Sequence, residues 1–231
     1  MDRQFDLLKT IIEAYIDRAE PIGSQLIVER YHFPVSSATV RNQMRDLEGQ
    51  GFLEQPHTSS GRIPTEQAYQ WYVDHGLDPK EESAIAHGRR IQELREAVFD
   101  DDPFEQLKRL TRAVADRSDE AVIVAQEPGR VYYSGMSNLF SKPELLDPQL
   151  VKDCSLILDR LEQFLPSMMS EGIPEHVEIR IGHNNPLCDR LSTVMVRLST
   201  DPPTVVALWG PMRMNYGGHV RLLEQIEEIF E

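Results

Sequence analysis

Cysteine is scarce: the chain has Cys154 and Cys188, far apart and outside any CxxC or Cys/His cluster. That argues against a structural zinc site and a disulfide-stapled scaffold, and it suits a reducing cytosol. No apolar run approaches the ~20 residues of a membrane-spanning helix. The opening MDRQFDLLKTII lacks the basic, then apolar, plan of a secretory leader. The expectation is a soluble, cytoplasmic protein without a membrane association. Catalytic motifs are missing as well: there is no P-loop, GxSxG, HExxH or dinucleotide fingerprint, and the seven histidines are scattered. An enzyme, a cofactor and a metal site are therefore not expected. Positive charge is short too, with 24 Lys and Arg against 38 Asp and Glu, a net charge of -14. Nucleic-acid binders commonly carry a basic surplus. The first 75 residues hold seven cations and eleven carboxylates. Any contact with nucleic acid must then come from a few cations gathered on one face.

What is present begins with helices. Phe5, Leu8, Ile12, Tyr15 and Ile16 recur at helical spacing and give a first amphipathic helix that ends before Glu20-Pro21. Gly23-Ser24 starts a short helix over Gln25 to Tyr31, and Ser36 caps a third from Ser37 to about Glu48, closed by Gly49-Gln50-Gly51. Two short extended runs, Phe52 to Gln55 and Arg62-Ile63, flank the polar turn His57-Thr58-Ser59-Ser60-Gly61 and read as a hairpin. Pro64-Thr65 opens a further helix that stops at Gly76. Helix, helix, turn, helix, hairpin is the order of a winged helix-turn-helix, here residues 1–76.

Residues 77–118 read as charge-rich amphipathic linker helices, broken at Asp100-Asp101-Asp102-Pro103. Ile85, Ile91, Leu94 and Val98 form one apolar stripe, and Phe104, Leu107, Leu110 and Val114 another. Such stripes either pack within the chain or form a dimer interface. Residues 119–231 mix strands (Ala121 to Val124, Val131 to Tyr133, Val177 to Ile181, Val194 to Leu198, Val205 to Trp209) with helices from Pro148 to Met169 and Tyr216 to Phe230. The fold class is α+β.

The third helix carries the sharpest signal. At ~100° per residue, Val40, Met44 and Leu47 share one side, while Ala38, Asn42 and Arg45, flanked by Thr39 and Arg41, face away. A recognition helix needs that division, one face in the core and one in the major groove. Arg41 and Arg45 suit guanine, Asn42 suits adenine, and the Ala38 methyl suits a thymine methyl. Ser36, Ser37 and the amides at the helix start suit a phosphate. The turn adds His57, Thr58, Ser59 and Arg62, the last expected at a wing tip along the DNA backbone or in a minor groove. The competing reading is a small-molecule or protein-responsive regulator whose winged helix makes protein contacts.

The stretch EPIGSQLIVERYHFPVSSATVRNQMRDLEGQGFLEQPHTSSGRIPTEQAYQWYVD closely resembles the winged-helix domain of the heat-inducible transcription repressor family, HrcA. SGMSNLFSKPEL, IRIGHNNPLCDRLS and GPMRMNYGGHVRLLEQI carry the resemblance through most of the chain. It implies a nucleoid-associated repressor of heat-shock and chaperone operons. Its expected target is double-stranded operator DNA with an inverted repeat, bound as a homodimer, with the chaperonin as a further partner. It also implies a GAF-like domain over residues 119–231. Family members usually insert a dimerising subdomain between a strand like residues 121–125 and a segment like residues 131–139. Here Gln126-Glu127-Pro128-Gly129-Arg130 alone joins them, so the GAF-like domain is reduced and any dimer must use what is retained. The helical stripes are the expected surface. Ser37 stands where the family tends to have proline, and Gln43 where it tends to have aspartate.

Overall fold

The computed structural model describes residues 3–57, 61–77, 84–161, 163, 176–185 and 187–231, residues 84 and 85 by backbone alone. Contacts divide the chain into two units, Met1–Leu77 with Met212–Met214, and Asp78–Pro211 with Asn215–Glu231.

In the first unit, α1 (Arg3–Arg18) buries Leu7, Leu8, Ile11 and Ile12. α2 (Ser24–Tyr31) ends on His32, whose backbone turns left-handed at φ 53 and donates its amide to the Ile27 carbonyl. α3 (Ser37–Gly49) starts where Ser36 leaves the helical region, and Ser36 Oγ accepts the Thr39 amide at 3.2 Å. Such a cap supplies about 1 kcal/mol by satisfying one of the amides a helix start leaves open. β1 (Leu53–Glu54) pairs antiparallel with β2 (Ile63–Pro64), Leu53 opposite Pro64. α4 (Glu66–Trp71) is capped by Thr65 and widens into a π-turn over Tyr72–Gly76. Phe5 ties these parts together, stacking on Trp71 at 5.0 Å and meeting Phe52 edge-on at 5.9 Å.

The second unit is α+β. Its sheet has five antiparallel strands: β3 (Ala121–Gln126), β4 (Arg130–Ser134), β5 (Glu178–Ile181), β6 (Leu191–Leu198) and β7 (Thr204–Pro211), in the order β4-β3-β7-β6-β5. β3 and β4 form a tight hairpin with Gln126 opposite Arg130. Gly129, at φ +73, supplies the left-handed residue that a three-residue hairpin turn requires.

Both sheet faces are covered, which is why β3 and β7 read as nearly unbroken apolar runs and β6, although it carries Ser192, Thr193 and Arg197, is buried along almost its whole length. One face packs Ile123, Met195, Val205 and Trp209 against Leu139 of α7 (Met136–Phe140) and Leu150, Cys154 and Ile157 of α8 (Pro148–Leu158). The alternate residues face α6 (Pro103–Ser118) and α9 (Tyr216–Phe230), on which α5 (Ala84–Val98) packs in turn. The helix expected to run unbroken to Met169 ends at Leu158, where Asp159 and Arg160 form a turn; most of the rest of that stretch lies outside the described residues.

The two helical stripes find their partners inside this unit. Leu94 and Val98 of α5, and Leu110 and Val114 of α6, are fully buried, and Ile91 and Leu107 nearly so. Of the two roles open to such stripes, packing within the chain is the one that these residues show; the Ile85 side chain lies outside the described residues. Phe104 is the exception, 45% exposed. Among the described residues no helix is long and apolar enough to cross a membrane, and no group of three His, Cys, Asp or Glu could hold a metal ion.

Candidate nucleic-acid interface

α3 is divided as its periodicity requires. Val40, Met44 and Leu47 are buried to within 1%, each contributing roughly 1.5–3 kcal/mol of apolar burial. Ala38, Thr39, Arg41, Asn42 and Arg45 are exposed on the other side. The side chains of Arg41, Asn42 and Arg45 make no hydrogen bond or ion pair with any described residue. Two cations and an amide thus stand ready on one helix face, although Asp46 beside them is exposed as well.

At the helix start Ser36 is exposed and Ser37 half-buried. Ser36 Oγ lies 2.9 Å from Thr39 Oγ1 and takes the Thr39 amide. The amides of Ser37 and Ala38 remain without a partner among the described residues, the arrangement a helix start offers to an oxyanion. Arg3 of α1 reaches the same end, its Nη2 donating to the Pro34 carbonyl at 3.5 Å. Helical periodicity carries no signal for that approach.

The ribbon differs from its sequence reading in one residue. His57 is exposed, and Thr58 and Ser59 lie outside the described residues. Arg62, expected at a wing tip, instead bridges to Ile22 just ahead of β2, where the two backbones exchange hydrogen bonds at 2.8 and 2.9 Å. Its side chain is 13% exposed and binds Glu48 Oε2 through Nη2 at 2.9 Å and Nε at 3.0 Å. The guanidinium is thus engaged by a carboxylate of the same unit. The reason is topological: Arg62 stands immediately before β2 and is fixed there by its bridge to Ile22.

Behind this face, Tyr72 Oη donates to Glu13 Oε1 at 3.4 Å. Burial pushes the Tyr72 pKa up to about 12, and the negative charge of Glu13 adds to it. Tyr72 is therefore a neutral donor throughout the physiological range, bracing α1 against the end of α4.

Comparison with known proteins places the chain among transcription repressors. Residues 83–220 match the model of the HrcA protein C terminal domain. With that match spanning more than half of its length, the chain belongs to the HrcA family, the family its motifs resemble. It is similar to the heat-inducible transcription repressor HrcA of Halalkalibacterium halodurans, 26% identical over 329 positions that cover 98% of this chain and 95% of the relative. That alignment is longer than the chain itself, so the relative carries stretches with no counterpart here. It is also similar to the heat-inducible transcription repressor HrcA of Mycolicibacterium vanbaalenii, 46% identical over 118 residues, 49% of this chain and 34% of that relative. Among solved structures, one described as a hypothetical protein at 2.2 Å resolution superposes with a TM-score of 0.79 at 18% identity, over 100% of this chain and 98% of the other. That likeness establishes a shared fold.

Proposed function

We propose that residues 1–76 form a winged helix-turn-helix that holds α3 in the major groove of operator DNA, and that the protein represses heat-shock and chaperone operons through an inverted repeat. The observation that carries this reading is the face of Arg41, Asn42 and Arg45, exposed and without partners opposite a fully buried seam. Solvated surface cations usually find a carboxylate nearby, and the chain has an excess of them. Arg and Asn at successive positions of an open helix face match the donor and acceptor edges of G·C and A·T pairs. Ser36, Ser37, Ala38 and Thr39 then take a phosphate at the helix start, and His57, Thr58 and Ser59 follow the backbone from the ribbon turn.

The second unit is read as a reduced GAF-like domain. Repression through an inverted repeat calls for a two-fold dimer. Because most described members of the α5 and α6 stripes are buried, the pairing surface is read onto apolar side chains still exposed on this unit, Leu146 at 85% and Leu156 at 45% among them. The chaperonin enters as a partner on the family resemblance alone. The experiment is a quantitative binding assay of the full chain against inverted-repeat duplexes from its own chaperone promoters and against scrambled duplexes of equal length. Equal affinity for both would overturn the reading.

A further inference from the structure

On the second unit, a cleft of about 230 Å³ opens between α6 and the edge strand β4, lined by Lys108, Thr111, Arg112, Tyr132, Tyr133 and Ser134. β4 pairs with β3 alone, so its outer side leaves the cleft open to solvent. The lining holds two cations and no carboxylate, in a chain where acids outnumber bases by 38 to 24. Arg112 is exposed and makes no ion pair or hydrogen bond through its side chain with a described residue, although Asp116 stands exposed one turn along α6. Lys108 is held 2.7 Å from Glu105 Oε1 and 4.4 Å from the Phe104 ring centre. Tyr132 and Tyr133 give the cleft its aromatic side, and Phe104 meets Tyr132 edge-on at 5.4 Å from outside the lining. The hydroxyls of Tyr132 and Ser134 have no partner among the described residues, whereas Thr111 Oγ1 donates to the Leu107 carbonyl at 2.7 Å and presents lone pairs.

We propose that this cleft binds a small organic phosphate, its phosphoryl group held by Arg112, Lys108 and the two free hydroxyls and its organic part lying against the tyrosines of β4. Donors from two walls suit the three oxygens of a phosphate monoester better than a planar carboxylate, which a single guanidinium satisfies in one plane. The volume lies below the ~300–1,000 Å³ of drug-sized sites, so the organic part is small.

The test titrates phenyl phosphate into the full chain by calorimetry, with inorganic phosphate and benzoate as parallel probes, and follows the ring signals of Tyr132 by NMR. The expected result is saturable binding of one phenyl phosphate per chain, weaker binding of the other two, and perturbed Tyr132 signals. Arg112→Gln and Tyr132→Phe should each weaken phenyl phosphate about tenfold or more. Arg112 is exposed, so its replacement leaves the fold intact, which circular dichroism verifies. The proposal is overturned by absence of saturation up to about 10 mM, by benzoate binding as tightly as phenyl phosphate, or by an Arg112→Gln protein that binds like the parent. None of these readouts involves DNA, so the result is independent of the operator reading.

Discussion

Arg62 and Glu48 are joined through two guanidinium nitrogens to one carboxylate oxygen, at 2.9 and 3.0 Å, across fourteen positions of sequence. The pair bolts the chain leading into β2 to the last turn of α3. Arg62→Ala should therefore lower the stability of the first unit by ~1–2 kcal/mol, a value discounted because Glu48 is partly solvated. The slope of log affinity against log salt should stay that of the parent, since no phosphate contact is lost. Urea denaturation and a salt titration on the same variant decide the matter; a slope reduced by about one unit with unchanged stability would return Arg62 to the DNA.

Arg41→Ala, Asn42→Ala and Arg45→Ala should each cost ~1–3 kcal/mol of affinity for the operator and far less for a scrambled duplex. All three side chains are exposed, so the variants should melt with the parent. Parallel losses on both duplexes would reduce these residues to phosphate contacts.

Gly61 lies against the chain that precedes α2. A methyl group on its Cα would sit 2.5 Å from the Ile22 carbonyl carbon and oxygen, which are backbone and cannot swing aside. Gly61→Ala should cost ~1–3 kcal/mol or displace the ribbon. Gly88, mid-helix in α5 with open space around it, is the counterpart: Gly88→Ala should add ~0.5–1 kcal/mol. Equilibrium unfolding of the two variants should move in opposite directions, and equal effects would contradict the local geometry.

His219 is buried in α9, with Nε2 3.2 Å from the Ser118 carbonyl and Nδ1 without a hydrogen-bond partner among the described residues. Burial pushes its pKa down to about 4, and the charge of Lys142 acts in the same sense. A second proton on Nδ1 would have no acceptor. The unfolded chain takes that proton near the ordinary histidine value, so unfolding gains protons as pH falls. The stability from neutral His219 is complete above about pH 6.5 and declines toward pH 4, by roughly 3 kcal/mol in all. Unfolding followed by Trp209 emission between pH 6.5 and 5 should show this slope, and His219→Gln should flatten it. An identical slope in the variant would assign the titration elsewhere.

Leu94 and Leu107 are 1% and 6% exposed, packed inside the second unit. Leu94→Glu should unfold that unit, because a buried unpaired carboxylate costs several kcal/mol. Sedimentation together with circular dichroism checks this. A folded protein with altered oligomeric state would restore α5 to an interface.

Much of this architecture was legible because it is local. Capping serines and glycine stops bracket α3, and the seam of Val40, Met44 and Leu47 follows from turn angle alone. The closing helix from Tyr216 to Phe230 has the bounds its apolar spacing predicts. What was not legible depends on partners distant in sequence. An amphipathic stripe looks the same whether α9 or a second copy covers it, so the role of Leu94 and Leu110 was open until the sheet was placed. Arg62 followed a Gly/Ser turn and read as a tip residue, while its neighbour Glu48 belonged to another element. α7, at five residues, is too short for periodicity to register. Both the cleft beside β4 and the approach of Arg3 to Pro34 arise from packing between separate elements.

The β3–β4 hairpin has its two strands held in register from Val122 opposite Ser134 to Gln126 opposite Arg130, with β7 fixing β3 from the other side. Its turn, Glu127 to Gly129, joins two chain ends that already lie one strand spacing apart, ~5 Å. Any folded guest whose own termini are neighbours could be spliced into that turn without unzipping a single rung of the sheet. The corner of this unit is therefore a socket: an insertion there would leave the pairing of β3 with β4 and β7 untouched.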